Sequence, residues 1–341
     1  MREDNFWNKI LVFINTIVAM LLLLSYLLPF ISPKASPIFA IISLAVPVLF
    51  LSNVFFLIYW IIKIKKYLII SFLTIVLGVG YISSIYKFSE KNIFLKDDLT
   101  VMSYNVRLFN HYNWTTDNAI AEKISTLITE KKPDVITIQE YFKAENLQIS
   151  YPYQFIKTKS KDNKFGLAIF SKYKIINSGS LDLENSANNI IFADIIKEKD
   201  TIRIYNIHLE SLKMNTAKEN FGEQNSDKLL QRMKASFKKQ AKQVELFLEH
   251  DKKWNGKRIL CGDFNNTAFS WVYKQLSENK QDAFKIAGKG LGKTFNYLYP
   301  LRIDFILVDL NFEVNSFKTF EVPYSDHFPI LARIKLKDKI E

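Results

Sequence analysis

Nine polar residues in this chain could do chemistry together: Asn105, Arg107, Glu140, His208, Asp263, Asn265, Asp304, Asp326 and His327. In Ser325-Asp326-His327 an acid stands directly beside a histidine, so one spot can bind a metal and handle a proton. Each residue also has an ordinary structural use. Glu140 could cap an element, Asn265 could sit in a turn, His208 could be a satisfied strand-end histidine, and Asp326-His327 could be a turn. What joins them is position. All stand at the ends of strand-like runs, beside loops, where catalytic groups collect.

The runs that must position them follow from periodicity. From Leu99 to Arg107 apolar and polar residues alternate, which is a strand with Asn105 and Arg107 two apart on one face. Ile120, Ile124, Leu127 and Ile128 have helical spacing, and Pro133 ends that helix. The next strand, from Asp134, carries Glu140 at its carboxyl end. Strand, helix, strand opens an α/β layered pattern. Further strands run from Tyr151, from Gly166 to Ser171 and from Lys174 to Ser180. Residues 190–196 and 201–209 read as a hairpin about the turn 197–200, with His208 at the far end. Leu212–Asp227 is polar and irregular, and long loops of this kind are often functional. Lys228–Glu249 is an amphipathic helix. The strand from Lys257 breaks at Gly262 and presents Asp263 and Asn265 at its exit. A short helix, Ser270–Ser277, and strands at 301–309, 311–322 and 330–336 complete the domain.

The N-terminal part is different. No charged residue occurs from Ile10 to Pro33, from Ala35 to Ile62 or from Tyr67 to Tyr86. Each run reaches the roughly 20 residues that a helix needs to cross a bilayer. Three transmembrane helices are therefore expected, at about 10–28, 38–62 and 67–86, with Pro47 able to kink the second. The first is not read as a cleaved signal peptide, because no small-x-small site precedes a polar start and two more spans follow. Lys63, Lys65 and Lys66 lie between the second and third runs, against Lys34 alone in the first loop. Lysine-rich loops stay in the cytoplasm. This orientation puts the N-terminus inside and everything after the third helix outside. The expected layout is a membrane domain (1–88), a tether (89–98) and a catalytic domain (99–341).

The formal net charge is +12, of which residues 97–341 carry +6. That excess suits an anionic lipid surface or substrate and is mild for a nucleic-acid binder. Cys261, the single cysteine, cannot form an internal disulfide and reads as a buried, inert thiol.

Tyr104-Asn105-Val106-Arg107, Gln139-Glu140, Gly166 with Ser171-Lys172, Asn206 with His208-Leu209, Gly262-Asp263-Phe264-Asn265, Arg302-Ile303-Asp304-Phe305 and Ser325-Asp326-His327 resemble, in order and spacing, the endonuclease/exonuclease/phosphatase superfamily. The likeness covers residues 99–338. It implies an α/β fold, a two-sheet, four-layer sandwich with the active site at one edge. It implies Mg²⁺ or Mn²⁺ held by Glu140 and Asp326, and water positioned or deprotonated by Asp263, which Asn105 holds. It implies that Asn265 donates to the developing phosphorane oxygens, that Asp304 orients His327 and that His208 stands across the site near the leaving group. Arg107 would fork onto a phosphate. Arg107 and His208 are similar to the deoxyribonuclease, sphingomyelinase and phosphatase branches and differ from abasic endonucleases, which have an acid and a tyrosine there.

Three membrane helices ahead of such a domain resemble bacterial membrane proteins linked to teicoplanin resistance. The expected enzyme is a multi-pass protein of the bacterial cytoplasmic membrane with an extracytoplasmic active site. It would hydrolyse a phosphodiester or phosphoanhydride, with a lipid-linked substrate favoured over nucleic acid. The alternatives are a membrane-tethered extracytoplasmic nuclease and a subunit of a membrane assembly with a silent hydrolase domain. Tyr297–Pro300, Phe320–Tyr324 and Leu212–Asp227 are candidate substrate walls.

Overall fold

The charge-free runs form helices, and two of the three are bent. The computed structural model of the chain describes residues 6–143, 147, 149–159, 164–212, 223–297 and 299–337. Its first helices are α1 (Phe6–Ser25), α2 (Pro37–Ser43), α3 (Val46–Ile62), α4 (Leu68–Leu77) and α5 (Val79–Ile85). Among the described residues, Phe6–Phe30 alone is long and apolar enough to cross a membrane as one helix. The other two expected spans are bent pairs, by 49° between α2 and α3 and by 80° between α4 and α5; there are up to three spans if each pair counts as one. The breaks have local causes. Pro47, in the first turn of α3, has no N–H to return to the Ser43 carbonyl. Gly78 separates α4 from α5. With 10 residues α4 is about 15 Å long, too short to span hydrocarbon alone. Helices α1, α3 and α4 pack together. Ser71 Oγ donates to Asn15 Oδ1 at 2.7 Å, a buried polar contact between helices.

The rest of the chain folds as β1 (Leu99–Asn105), α6 (Ile120–Lys131), β2 (Val135–Phe142), β3 (Tyr153–Thr158), β4 (Phe165–Ser171), β5 (Ile175–Ser180), β6 (Ile190–Lys197), β7 (Asp200–His208) and α7 (Glu223–Asp251). It continues with β8 (Lys257–Asp263), α8 (Trp271–Ser277), β9 (Lys280–Asp282), α9 (Ala283–Ala287), β10 (Asp304–Asp309), β11 (Phe312–Thr319) and β12 (Ile330–Leu336). Among the described residues these strands make two six-stranded sheets, in the orders β11-β12-β1-β2-β4-β3 and β5-β6-β7-β8-β10-β9. The sheets face one another across a core of alternating apolar side chains, including Val101, Val135, Ile169, Ile204, Ile259, Cys261, Ile306 and Ile334. Helix α6 covers the outer face of the first sheet and α7 and α8 that of the second. Buried amides bridge the sheets: Gln139 Nε2 donates to Asn206 Oδ1 at 2.7 Å, and Asn206 Nδ2 donates to the carbonyls of Ile138 (2.8 Å) and Ala168 (2.9 Å). The sandwich matches the expected fold class. Helix α7 begins earlier than expected, at Glu223, inside the stretch read as a loop; residues 213–222 of that stretch lie outside the described residues.

Residues 89–98, expected to act as a tether, lie against the sandwich. Ile93 N donates to Asn315 O at 2.9 Å, Lys91 pairs with Glu313 at 2.8 Å, and buried Asp98 accepts from Asn315 (2.7 Å) and Arg333 (3.2 Å). The bend between α2 and α3 is docked too. Thr267 Oγ1 donates to Ser43 O (3.3 Å), the carbonyl that Pro47 leaves free, and Tyr299 Oη donates to Leu44 O (3.1 Å). Lys34 pairs with Glu245. Ala40 and Leu44 pack with Leu212, Met233 and Phe237.

Candidate active site

Register brings the polar residues into line. Strand β8 runs parallel to β7 and antiparallel to β10, with His208 opposite Asp263 and Asp304 opposite Asp263. One row across three neighbouring strands therefore carries three of the expected residues. Gly262 makes this row feasible. Its φ is +139°, and a Cβ there would lie 1.9 Å from the Ile207 carbonyl oxygen. In the other sheet, β1 and β2 run parallel with Asn105 opposite Gln139. The pairing of β2 with β4 then shifts between Ile138 and Tyr141, a bulge that carries Glu140. Glu140 (φ +50°), Asn265 (+49°) and Arg107 (+45°) all have left-handed backbones. Such conformations cost about 1–3 kcal/mol each for ordinary residues and collect at functional sites.

Asp263 is the hub. Its Oδ1 accepts the Asn265 N–H at 2.8 Å; its Oδ2 accepts Asn105 Nδ2 at 3.1 Å and Asn265 Nδ2 at 3.2 Å. His327 Nε2 lies 3.6 Å from Oδ2, and His327 Nδ1 reaches Asp304 at 3.0 Å. Asn105 also donates to Glu140 Oε1 at 3.3 Å, so one amide links both carboxylates. Ser325 Oγ donates to Asn105 O (2.8 Å) and accepts the His327 N–H (3.2 Å), fixing the turn that holds Asp326 and His327. Arg107 Nη1 lies 3.4 Å from Asp326 Oδ2, with its guanidinium 4.7 Å above the Trp114 ring.

The charges are set by burial against partners. Burial opposes the His327 cation, but Asp304 and Asp263 overcome it and push the imidazole up to about 10. Burial raises the Asp263 carboxyl to about 7 despite the His327 charge. Burial, and then the His327 charge, push His208 down to about 3, so His208 is neutral. Its Nε2 lies 3.5 Å from Asp263 Oδ2, which is therefore no ion pair, and has no hydrogen-bond partner among the described residues. Desolvation and the Asp326 charge raise the Glu140 carboxyl.

Asp263, Asn265, Asp326 and His327 line a cleft of about 110 Å³, with Asn105 and Asp304 behind them. His208 lines a separate, wider cleft of about 730 Å³ with Tyr112, Lys157, Lys159 and Asn188. Glu140 lines both and stands between them. Of the expected substrate walls, Leu212 lines the smaller cleft, whereas Phe320, Val322 and Tyr324 pack beside α6. Sequence reasoning missed Leu44, Phe295, Leu301 and Ile303 in the smaller cleft and Lys157 and Lys159 in the wider one. Leu44 carries no distinguishing signal of its own; Pro47 three residues later is the only pointer to it.

Residues 102–327 match the model of the endonuclease/exonuclease/phosphatase family, from β1 through the last histidine of the site. The chain belongs to this family. It is accordingly a metal-dependent hydrolase of phosphate esters. Residues 8–85 match a family described as a domain of unknown function, DUF8431. No curated protein matches the chain. Among solved structures, a family member from Bacteroides vulgatus is 20% identical over 71% of this chain and 100% of its own, with a TM-score of 0.54. A mannosyl-6-phosphatase from Bacteroides thetaiotaomicron is 18% identical over 70% of this chain and 100% of its own, at 0.53. Humanized D. rerio TDP2 gives 18%, 70%, 100% and 0.53. At these identities the likeness concerns the fold.

The family's divalent cation fits the residues present. Glu140 and Asp326 offer hard oxygens, and each other's charge at the cleft is what a cation would relieve. Ligand atoms of Asp263, Asp304 and His327 also lie within 4.8 Å of one another. There Asp304 and His327 engage each other, while Glu140 accepts from Asn105 and Asp326 faces Arg107, so either set offers oxygens that could hold a hard dication.

Proposed function

We propose that this enzyme is a membrane-embedded phosphoesterase that hydrolyses a phosphodiester or phosphoanhydride of a lipid-linked substrate by water attack. The observation that carries the reading is Leu44: a residue of the apolar N-terminal region forms a wall of the catalytic cleft. An active site built partly from a membrane helix meets lipids at high local concentration. In this reading α1, the α2–α3 pair and the α4–α5 pair are three spans, with the N-terminus cytoplasmic and the sandwich outside.

Glu140 and Asp326 would hold Mg²⁺ or Mn²⁺, which when bound polarises a phosphoryl oxygen. Asn105 and Asn265 fix the Asp263 carboxylate, which takes the proton of the attacking water. The Asn265 amide and the His327 cation face the charge that develops on phosphorus-bound oxygens. Asp304 holds His327 protonated and oriented. Neutral His208 faces the leaving group from the wider cleft, and Arg107 holds a phosphate oxygen.

The full chain, purified in detergent with Mg²⁺, should turn over one of polyprenyl pyrophosphate, sphingomyelin or phosphatidylinositol phosphates, and Asp263→Ala should not. Plasmid DNA belongs in the same assay, because Lys157, Lys159 and Tyr112 in the wider cleft favour a nuclease as the second reading. DNA cleavage alone, lost in Asp263→Ala, would replace the lipid reading with that one. No turnover of any substrate would favour a silent subunit of an assembly. For topology, Lys199→Cys, on the exposed β6–β7 turn, should react with an impermeant thiol reagent on intact cells; failure would overturn the outward orientation.

A further inference from the structure

The sandwich does not close its own catalytic cleft. Leu44, at the bend between α2 and α3, stands there with Phe295, Leu301 and Ile303. Leu301 is shared with a second, narrow cavity of about 40 Å³. That cavity runs between Pro47, Val48, Leu51 and Ile85 on one side and Phe269 and Leu291 on the other. Its surface is mostly apolar, with Ser84, Thr267 and Arg302 as polar members of the lining. The carbonyls that the bend releases are already satisfied by Thr267 and Tyr299, so the backbone there presents no open polar group. Arg302 pairs with Asp282 through Nη1 at 2.7 Å and lies between the Phe284 and Phe305 rings, while its Nε and Nη2 have no hydrogen-bond partner among the described residues. At the outer lip Val48 and Leu51 are 43% and 49% exposed, on the same helix as the exposed Phe55 and Ile58.

We infer that this slot receives the hydrocarbon chain of the lipid whose phosphate lies between Glu140, Asp263 and His327, and that the bend at Leu44 is where the lipid passes from bilayer to active site. The inference rests on the membrane phosphoesterase reading above. Three features converge on it. Leu301 lines both the slot and the catalytic cleft, so the two are neighbours within reach of one elongated molecule. The lining is mostly apolar, and about 40 Å³ takes about one or two methylenes of a single chain, the rest lying along the exposed face of α3. The open lip lies on the apolar surface of α3, so a chain enters without crossing water.

The test uses the full chain in one detergent with Mg²⁺ and a series of alkyl 4-nitrophenyl phosphate diesters: ethyl, hexyl, decyl and tetradecyl. In the wild type kcat/KM should rise with chain length, by up to about fourfold per buried methylene over the length the slot covers. Val48→Trp, which fills the lip, should lower the decyl-to-ethyl ratio at least about tenfold relative to wild type, on the same transfer scale. Because the ratio is compared in the same detergent, partition into micelles cancels. An unchanged ratio in both Val48→Trp and Leu51→Trp overturns the slot while leaving the lipid reading intact. Ethyl ester turnover with no rise with chain length in the wild type overturns the lipid reading and the slot with it. A decyl diester carrying a terminal diazirine, crosslinked to the wild-type chain, gives an answer free of any folding defect. Label at residues 44–51 and 291–301 is expected; label only elsewhere refutes the slot.

Discussion

Replacing Asp263 by Asn is the sharpest probe of the site, because the two side chains have the same shape. The carboxylate accepts three hydrogen bonds, one on Oδ1 from the Asn265 backbone and two on Oδ2 from the Asn105 and Asn265 amides. An asparagine has one acceptor oxygen and one NH₂. Whichever way it is turned, a donor faces a donor. A buried donor left unmatched costs about 1–3 kcal/mol, which in a domain of this size lowers the melting midpoint by a few degrees. Loss of the buried charge offsets part of that, since burial already disfavours the carboxylate. The fold should therefore survive. Activity should not: the lost proton acceptor is worth about 10²–10⁴ in rate. Initial rates on the ethyl diester with Mg²⁺, alongside circular dichroism melting of the same samples, separate the two effects. Activity within about tenfold of wild type would refute Asp263 as the proton acceptor. Collapse of the melting transition would instead make it part of the frame.

Gly262→Ala should destabilise by well over about 1 kcal/mol, because a Cβ would collide with the Ile207 carbonyl at a φ of +139°; a chemical-denaturation midpoint reads it. Asp194→Ala strands Arg203, now held by contacts of 2.6 and 2.8 Å and buried beside Phe192 and Trp254, and should cost about 3–5 kcal/mol by the same measurement. His208 is held near 3 when folded against about 6.5 when unfolded, so it binds fewer protons in the native state across that window. Its contribution to stability is whole above about pH 6.5 and is lost as pH falls toward 3. With chelator present, His208→Gln should therefore melt with a shallower loss between those limits; an identical slope would refute the neutral histidine. Thr267→Val removes one hydroxyl from the bend at Ser43 and should cost roughly 1 kcal/mol of stability, read as a lower melting midpoint; no shift would show that contact to be idle.

The sandwich was legible because its strands are short apolar or alternating runs bounded by turns, and its polar residues stand where those runs stop. The alternation near Asn105, the Gly262 break and the acid at Asp304 all survive as geometry. Other features leave no trace in periodicity. The bulge at Glu140 depends on how β4 pairs with β2, and pairing is a property of two segments, not one. The contacts of residues 89–98 run partly through backbone groups, which every residue possesses. Helix α7 starts among Glu223 and its polar neighbours, where no apolar stripe marks it. Leu44 reads like any other residue of an apolar run, and only the proline that frees the Ser43 carbonyl hints at a corner there. Arg107, Glu140 and Asn265 were legible as chemistry, yet their left-handed backbones were not, because β-region and left-handed residues share one alphabet.

Cys261 lies in the core between the sheets, one residue before Gly262, wholly buried, and burial raises its thiol far above the ordinary range. A thiol in that state is unreactive until β8 separates from its neighbours. As the chain's sole sulfhydryl, it therefore serves as a natural clock: the rate at which a small disulfide reagent consumes it counts how often the sandwich opens. Bound cation or substrate should slow that clock, so occupancy of the catalytic cleft can be followed without any turnover.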